Sequence, residues 1–204
     1  MITVIANLKG GSGKSTVTFN LAVWLCSQQK TVQTYDLDPQ ATLIDVIQVR
    51  KEEGYQPTVP VKARYSTTKD KVDEVLVDIG TANSKAMDKA LKEADRVIIP
   101  VPPSQADIWS TQRFLYRLAS LKRETPLEVI TFINRADTHA AVKESDQAEE
   151  ALQQLPAIKV LSQRLCQRTN YRRSFSEGLA VFELEPSSKA AKEFLQFAEA
   201  VYPA

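Results

Sequence analysis

The chain has 204 residues, of which 43% are hydrophobic and 25% charged, and its formal net charge is +1. This length suits a single domain, predicted over residues 1–204, that can bury a hydrophobic core. The near-neutral charge excludes a strongly basic or acidic protein, and no apolar run reaches the ~18 residues of a membrane span. The two cysteines, Cys26 and Cys166, lack metal-site spacing and are expected to be buried hydrophobic residues. The N-terminal segment has no basic leader, so we expect a cytoplasmic protein.

Strand-like and helix-like segments alternate along the chain. Apolar, β-branched runs predict strands at residues 2–6, 31–35, 74–79, 96–101 and 127–134, with a sixth candidate at 157–161. Helical periodicity predicts helices at residues 14–28, 83–94, 107–122, 141–155 and 187–201. Strands this apolar are typical of a parallel sheet that is covered on both faces. The sequence therefore predicts an α/β fold with an open, mainly parallel, doubly wound sheet flanked by helices.

Three parts of the chain carry weaker signals. Residues 50–71 hold prolines and many charges, and they fit either a surface excursion or a short extra strand. Trp24 and Trp109 lie on predicted helices and are expected in the core. His139 lies in the polar stretch Asp137-Thr138-His139 and is expected at the surface.

A glycine-rich segment lies where the first predicted strand meets the first predicted helix. It consists of Lys9, Gly10, Gly11, Ser12, Gly13, Lys14, Ser15 and Thr16. Glycines let the backbone curl around a phosphate, and a helix N-terminus presents unpaired N–H groups and partial positive charge to it. In such a loop Lys14 contacts the β- and γ-phosphates, and the Ser15 hydroxyl ligates Mg²⁺. The segment therefore predicts ATP and Mg²⁺ as cofactors, with the whole loop in contact with the nucleotide.

The loop departs from the usual pattern G-x-x-x-x-G-K-[ST] at its start. Leu8 stands where the first glycine is expected, and an additional lysine, Lys9, precedes the glycines. This K-G-G-x-G-K-[ST] form resembles the deviant Walker ATPases of the ParA/MinD family, which are P-loop NTPases. The resemblance implies that Lys9 reaches across a nucleotide-sandwich dimer to the phosphates of the partner's ATP, and that Lys9 and Lys14 are catalytic. A solvated lysine on the loop is the alternative.

Two carboxylates end the second predicted strand, and a third ends the next one. Asp36 and Asp38 lie in the run DLDPQ, and Asp78 closes the run EVLVD. Hard oxygen ligands at this edge of a parallel sheet suit Mg²⁺. The runs resemble the family's first switch and Walker B segments. This implies that Asp38 is catalytic and orients the attacking water, that Asp78 holds Mg²⁺ through water, and that Asp36 supports the metal. The alternatives are that Asp38 caps a helix at residues 41–49 and that Asp78 is an ordinary strand-end residue.

An asparagine, Asn134, ends the fifth predicted strand and is followed by Arg135. The family's adenine-reading asparagine falls at this place, and an amide offers the donor and the acceptor that an adenine edge requires. The resemblance therefore implies that Asn134 contacts the base. A turn asparagine is the alternative.

A basic run without any acid extends from residue 159 to residue 176. Its members are Lys159, Arg164, Arg168, Arg172 and Arg173. A local patch of one sign attracts the phosphate backbone of nucleic acid without sequence preference. The run resembles the region that family members use for non-specific DNA binding. It therefore predicts DNA contacts by Arg168, Arg172 and Arg173, with a solvated face or intramolecular pairing as the alternative.

The resemblance, strongest to the short ParF-type partition proteins, implies a dimerising ATPase that hydrolyses ATP to ADP and phosphate. Its ATP-bound homodimer would hold non-specific nucleoid DNA, and an adaptor protein on a cargo would stimulate hydrolysis. The cargo would be a plasmid, a chromosome region or a protein organelle such as a carboxysome. This implies a cytoplasmic, nucleoid-associated protein without a membrane partner.

Two other functions within the superfamily remain open. A small-molecule P-loop ligase would need a substrate pocket, about which the sequence is silent. A MinD-like regulator cycles on membranes through an amphipathic helix with a basic face. Residues 193–202 carry acids and are more typical of a helix that docks on its own domain.

Overall fold

A parallel sheet forms the centre of the molecule. The computed structural model describes residues 1–66, 72–80, 84–139 and 143–203. The strands are β1 (Ile2–Ile5), β2 (Val32–Asp36), β3 (Val61–Lys62), β4 (Glu74–Asp78), β5 (Arg96–Val101), β6 (Glu128–Ala136), β7 (Lys159–Val160) and β8 (Leu165–Cys166). Within the described ranges their order is β3-β2-β4-β1-β5-β6-β7, with β8 paired to β6, and every pair is parallel. The predicted fold class is confirmed.

Helices cover both faces of this sheet. They are α1 (Lys14–Ser27), α2 (Thr42–Glu52), α3 (Ser84–Glu93), α4 (Gln105–Ser120), α5 (Glu144–Gln153), α6 (Thr169–Ser176), α7 (Val181–Leu184) and α8 (Lys189–Val201). Successive strand residues enter two separate hydrophobic clusters, with Ile5 and Leu76 in one and Val4 and Val77 in the other. Because neighbouring side chains of a strand point to opposite faces, the central strands are buried on both sides. Helices α1 and α8 pack on the first face, and α3, α4 and α5 on the second.

The predicted order of strands and helices agrees with the structure, and the differences lie where segments are short. For residues 50–71 the sequence left a surface excursion and a short extra strand as alternatives. In the structure α2 continues to Glu52, and β3 is a short strand within this segment. Residues 67–71 lie outside the described residues. The predicted helix residues 83 and 141–142 also lie outside them. β8, α6 and α7 were not predicted, because segments this short have too few apolar residues to reveal a period.

Side-chain burial corrects two expectations about the core. Trp24 is buried as predicted, but the prediction for Trp109 is wrong, since 54% of this residue is exposed. Helix α4 turns Ile108, Phe114 and Leu118 inward, and Trp109 lies off that face. Both cysteines are only half-buried, and His139 is exposed as expected. In the described part of the chain, no helix is both long enough and apolar enough to cross a membrane.

Candidate nucleotide-binding site

The loop between β1 and α1 takes its shape from glycine. Gly11 and Gly13 have φ values of 75° and 91°, in the left-handed region that other residues rarely adopt. A Cβ at Gly13 would also lie 2.4 Å from Nδ2 of Asn134. Helix α1 begins directly after Gly13, and no described side chain caps its N-terminus. Its first N–H groups are therefore open to an anion.

Lys14 lies beneath this loop and is only 7% exposed. Its Nζ is 3.4 Å from the carbonyl oxygen of Lys9. Burial lowers the pKa of the Lys14 ammonium, and the nearby carboxylates of Asp78 and Asp38 oppose that shift. A cation thus lies between the loop and two carboxylates, as expected for a phosphate-contacting lysine.

Asp78, the last residue of β4, is a buried carboxylate at the carboxyl edge of the sheet. It is fully buried, and neither of its oxygens has a hydrogen bond of normal geometry within the described ranges. Burial raises its pKa to about 7, while the nearby Ser15 hydroxyl and Lys14 ammonium oppose the rise and Asp36 adds to it. An unsatisfied buried carboxylate is costly unless a cation or water completes it. Asp78 and Ser15 therefore fit a Mg²⁺ ion.

The protein alone does not enclose that ion. Among the described residues there is no group of three or more His, Cys, Asp or Glu side chains arranged to hold a metal. Mg²⁺ usually retains several waters and shares its coordination with substrate phosphates. Asp78, Ser15 and the phosphates of a bound nucleotide would together supply its ligands.

Asp36 at the end of β2 has a different set of contacts. Its Oδ2 accepts hydrogen bonds from the N–H groups of Leu43 and Ile44, each at 3.0 Å, and its Oδ1 accepts one from Asp38 at 3.0 Å. Burial raises its pKa, and these three backbone donors oppose the shift. The carboxylate thus satisfies the N-terminus of α2. The sequence predicted that Asp36 supports the metal, and it did not reveal that this carboxylate also accepts the amides at the start of α2.

Asp38 is held at the tip of the β2–α2 loop. Its Oδ1 accepts a hydrogen bond from the N–H of Gln40 at 3.0 Å. Its carboxylate lies against Gly80, where an added Cβ would be 2.3 Å from Asp38 Cγ. The alternative in which Asp38 caps α2 is wrong, because Asp36 accepts those amides and α2 begins after Ala41. Asp38 remains half-buried at the mouth of the cleft beside Gly80.

Lys9 lies on the outer side of the loop and is paired within its own chain. Its Nζ is 2.8 Å from Oδ2 of Asp107, whose side chain is 3% exposed against 45% for that of Lys9. Asp107 lies in the first turn of α4, where the cap residue Ser104 accepts its N–H at 3.2 Å and also bonds its Oδ2. The spacing of Ser104 and Asp107 is a capping signal visible in the sequence. Its link to Lys9, 98 positions away, is visible only in three dimensions.

The end of β6 contacts the loop from the other side. Asn134 donates from Nδ2 to the carbonyl oxygen of Ser12 at 2.6 Å, and Arg135 donates from Nη1 to the carbonyl oxygen of Gly11 at 2.7 Å. The amide of Asn134 is therefore directed at the loop in this structure. Sequence reasoning placed Asn134 in the site but did not assign a role to Arg135.

A cleft of about 610 Å³ lies between the loop and the segment that follows β8. One wall contains Gly10, Gly11, Gly13, Lys14, Ser15 and Thr16, with Asp38, Asn134 and Arg135. Ser12 is buried behind it, and its hydroxyl has no partner among the residues described. The other wall contains Leu165, Cys166, Gln167, Arg168, Thr169, Tyr171 and Arg172. Sequence reasoning predicted DNA contacts for Arg168 and Arg172 of this second wall and did not place the wall beside the nucleotide.

Two arginines of the basic run from residue 159 to 176 form ion pairs with acids from other parts of the chain. Arg168 is paired with Glu193 of α8 at 2.5 Å, and Arg164 with Asp146 and Glu149 of α5, each at 2.6 Å. For Arg168 the structure therefore shows the intramolecular pairing that the sequence left as the alternative, and its contact with DNA stays a prediction. The acid that pairs with Arg168 lies 25 positions along the chain, outside the basic run, so the sequence did not reveal the pair.

Arg172 and Arg173 keep their charges unpaired. Both are exposed on α6, and neither has an ion pair within the described ranges. Lys159 is exposed as well, on the short strand β7. The part of the run that is available to a phosphate backbone is thus centred on two consecutive arginines.

Comparison with known proteins places this geometry in a family. A family profile described as the CobQ/CobB/MinD/ParA nucleotide binding domain matches residues 3–181. The maintenance of carboxysome distribution protein A of Halothiobacillus neapolitanus is 30% identical over 212 residues, covering 98% of this chain and 95% of the relative.

Two solved structures share the fold. Apo McdA of Cyanothece has a TM-score of 0.79 at 21% identity and covers 98% of both chains. The septum site-determining protein MinD of Pyrococcus horikoshii, in complex with Mg-ADP, has a TM-score of 0.74 at 20% identity and covers 99% of this chain and 96% of that one. With its glycine loop, buried Lys14 and strand-end Asp78, the chain belongs to the CobQ/CobB/MinD/ParA family of nucleotide-binding domains.

Proposed function

We propose that the chain binds ATP with Mg²⁺ in this cleft and hydrolyses it within an ATP-dependent homodimer that positions a cargo. The observation that carries the proposal is the union of an uncapped helix N-terminus, a buried lysine and an unsatisfied buried carboxylate at the carboxyl edge of one parallel sheet. This arrangement suits a magnesium–triphosphate complex. The relatives named for carboxysome distribution and the septum site favour a positioning role.

Each residue has a distinct task in this proposal. The N–H groups of the loop and the ammonium of Lys14 would bind the phosphates, while Ser15 and Asp78 would hold the ion and its waters. Bound Mg²⁺ would neutralise charge on the β- and γ-phosphates. Asp38, held against Gly80, would position the attacking water. Lys9 would complete the site of the partner protomer.

Cargo positioning requires the dimer to hold a matrix, and we propose that this matrix is non-specific nucleoid DNA. Arg172 and Arg173 support it, because both are exposed and neither forms an ion pair with a described residue. A membrane is disfavoured as the matrix, because the apolar residues Phe194, Phe197 and Val201 of α8 are buried in the core and do not form an exposed apolar face. The cargo would carry an adaptor protein, and a protein organelle such as a carboxysome is the cargo that the relatives' names favour.

The test uses Lys9, because the dimer is the step on which the rest depends. Lys9→Ala should still bind ATP as a monomer, but should fail to form the ATP-dependent dimer and to turn over. Light scattering coupled to size exclusion, with ATP, with ADP and without nucleotide, measures the state of both proteins. A wild-type protein that stays monomeric with ATP, or a variant that dimerises and hydrolyses normally, would contradict the proposal. Lys51→Ala, which removes an exposed charge on α2, is the matched control.

A further inference from the structure

Two consecutive residues at the end of β6 hold two consecutive carbonyl groups of the phosphate loop. Asn134 Nδ2 is 2.6 Å from the carbonyl oxygen of Ser12, and Arg135 Nη1 is 2.7 Å from that of Gly11. Strand and loop lie 122 and 124 positions apart in these contacts, so the pairing is a product of the fold.

The direction of these carbonyls fixes the direction of the loop's N–H groups. In a trans peptide the C=O of one residue and the N–H of the next point in opposite directions. Holding the carbonyl of Gly11 therefore turns the N–H of Ser12 the other way, and holding that of Ser12 does the same for Gly13. A loop that binds phosphate must present N–H groups inward and carbonyls outward, because a carbonyl oxygen repels the anion.

The backbone of β6 departs from regular strand geometry at Arg135, the residue that contacts the carbonyl of Gly11. Arg135 has φ of 59°, in the left-handed region. It is also the extra residue in the pairing of β6 with β8, where Asn134 and Ala136 face the consecutive residues Leu165 and Cys166. A bulge of this kind redirects a side chain out of the strand's normal alternation. Here it allows two neighbouring residues to reach the same loop.

We propose that Asn134 and Arg135 are positioning residues that hold the phosphate loop in its binding conformation before any ligand arrives. Their ligand is the triphosphate portion, whatever base is attached to it. This inference rests on the proposed function, because it assumes that the loop binds a nucleotide. It gives Asn134 a task that differs from recognition of adenine, and the two tasks make opposite predictions.

The experiment compares a ligand with a base and a ligand without one. Calorimetry measures the affinity of Mg·ATP, and competition against ATP measures that of inorganic Mg·tripolyphosphate. Asn134→Ala should weaken both by the same factor, about fivefold for one neutral hydrogen bond. Arg135→Ala should weaken both by about tenfold or more, because its donor is charged. The ratio of the two affinities should stay at its wild-type value in each variant.

A second substitution at residue 135 removes folding as an explanation. Arg135→Gly loses the side chain but suits the left-handed backbone, so its ligand-free melting temperature should not fall. It should show the same loss of affinity as Arg135→Ala. Arg113→Ala, which removes an exposed arginine of α4 outside the cleft, is the charge-matched control and should bind both ligands normally.

Three results would overturn the inference. In the first, Asn134→Ala weakens ATP alone and leaves tripolyphosphate unchanged, which would make Asn134 a base reader. In the second, Arg135→Gly binds both ligands like the wild type. In the third, the wild type binds ATP but not tripolyphosphate, so that a preset loop does not suffice. A wild-type protein that binds neither ligand would instead refute the proposed function itself.

Discussion

The two walls of the nucleotide cleft are built in different ways. On the first wall, residues 9–16 form one continuous turn whose shape follows from glycine backbone angles and from the start of α1. On the second wall, Arg168 is fixed by Glu193 of α8, and Cys166 donates its N–H to the same carboxylate at 3.3 Å. The loop of the first wall is a local motif, whereas the second wall is an assembly of distant elements. The roles of the loop residues can therefore be predicted from the sequence, whereas those of the second wall cannot.

The largest effect is expected on the first wall. Lys14→Ala should weaken ATP binding by about a hundredfold or more, because it removes a buried charged donor from the terminal phosphates. Calorimetry with Mg·ATP measures the loss, and ligand-free melting shows whether the variant is folded. Near-normal affinity in a folded Lys14→Ala protein would remove the basis for the site. The difference between the walls would then have no functional meaning.

The next effect concerns Asp38, which lies on the first wall with the loop. Asp38→Ala should keep ATP binding and slow hydrolysis by about a hundredfold or more, trapping the ATP dimer. Phosphate release under single-turnover conditions measures the chemical step. Asp36→Asn is the comparison, because it disturbs the cap of α2 and should cost about 1 kcal/mol of unfolding free energy. Undiminished turnover in Asp38→Ala would exclude the assigned role.

The second wall is tested by separating its free arginines from its paired one. Replacing Arg172 and Arg173 with Glu should abolish ATP-dependent binding to duplex DNA of arbitrary sequence. Because Arg172 also lines the cleft, Arg173→Glu alone is the variant that should weaken DNA binding and leave ATP dimerisation intact. In the wild type, log affinity should fall with log salt by about 0.9 for each phosphate neutralised. Titration of fluorescent duplex at several salt concentrations measures this slope.

Arg168 provides the contrast within the same wall. Because its charge is already paired with Glu193, Arg168→Ala should leave the salt slope unchanged and lower the unfolding free energy by about 1 kcal/mol. A wild-type protein without ATP-dependent, salt-sensitive binding would remove the DNA proposal. A slope that falls in Arg168→Ala would show that the paired arginine also contacts phosphate.

The smallest effect is expected at Asp107, which holds Lys9 in its own chain. Asp107→Asn removes the charge that competes with the partner's ATP for Lys9. The ATP dimer should therefore form at about fivefold lower protein concentration, the equivalent of one modest ion pair. Analytical ultracentrifugation across a concentration series measures the shift. Weaker dimerisation in Asp107→Asn would mean that Asp107 supports Lys9 in the dimer rather than restraining it.

The sequence predicted the first wall almost completely, because its information is local. Gly11, Gly13 and Lys14 lie within one turn of each other, and backbone sterics and the helix N-terminus decide what they can bind. The same is true of Asp78, which ends an apolar strand. Asp36 and Asp38 were harder to separate, since two acids on one loop look alike until the start of α2 shows which of them meets its amides.

By itself, the sequence determined the order of strands and helices, the parallel sheet and the position of the phosphate loop. These follow from hydrophobic periodicity and from the few backbone conformations that glycine alone adopts freely. The tertiary structure decided which charges are free. It paired Lys9 with Asp107 and Arg168 with Glu193, and it brought Asn134 and Arg135 to the carbonyls of the loop. The physical reason is that hydrogen bonds and ion pairs depend on distances of about 3 Å in space, which separation along the chain does not report.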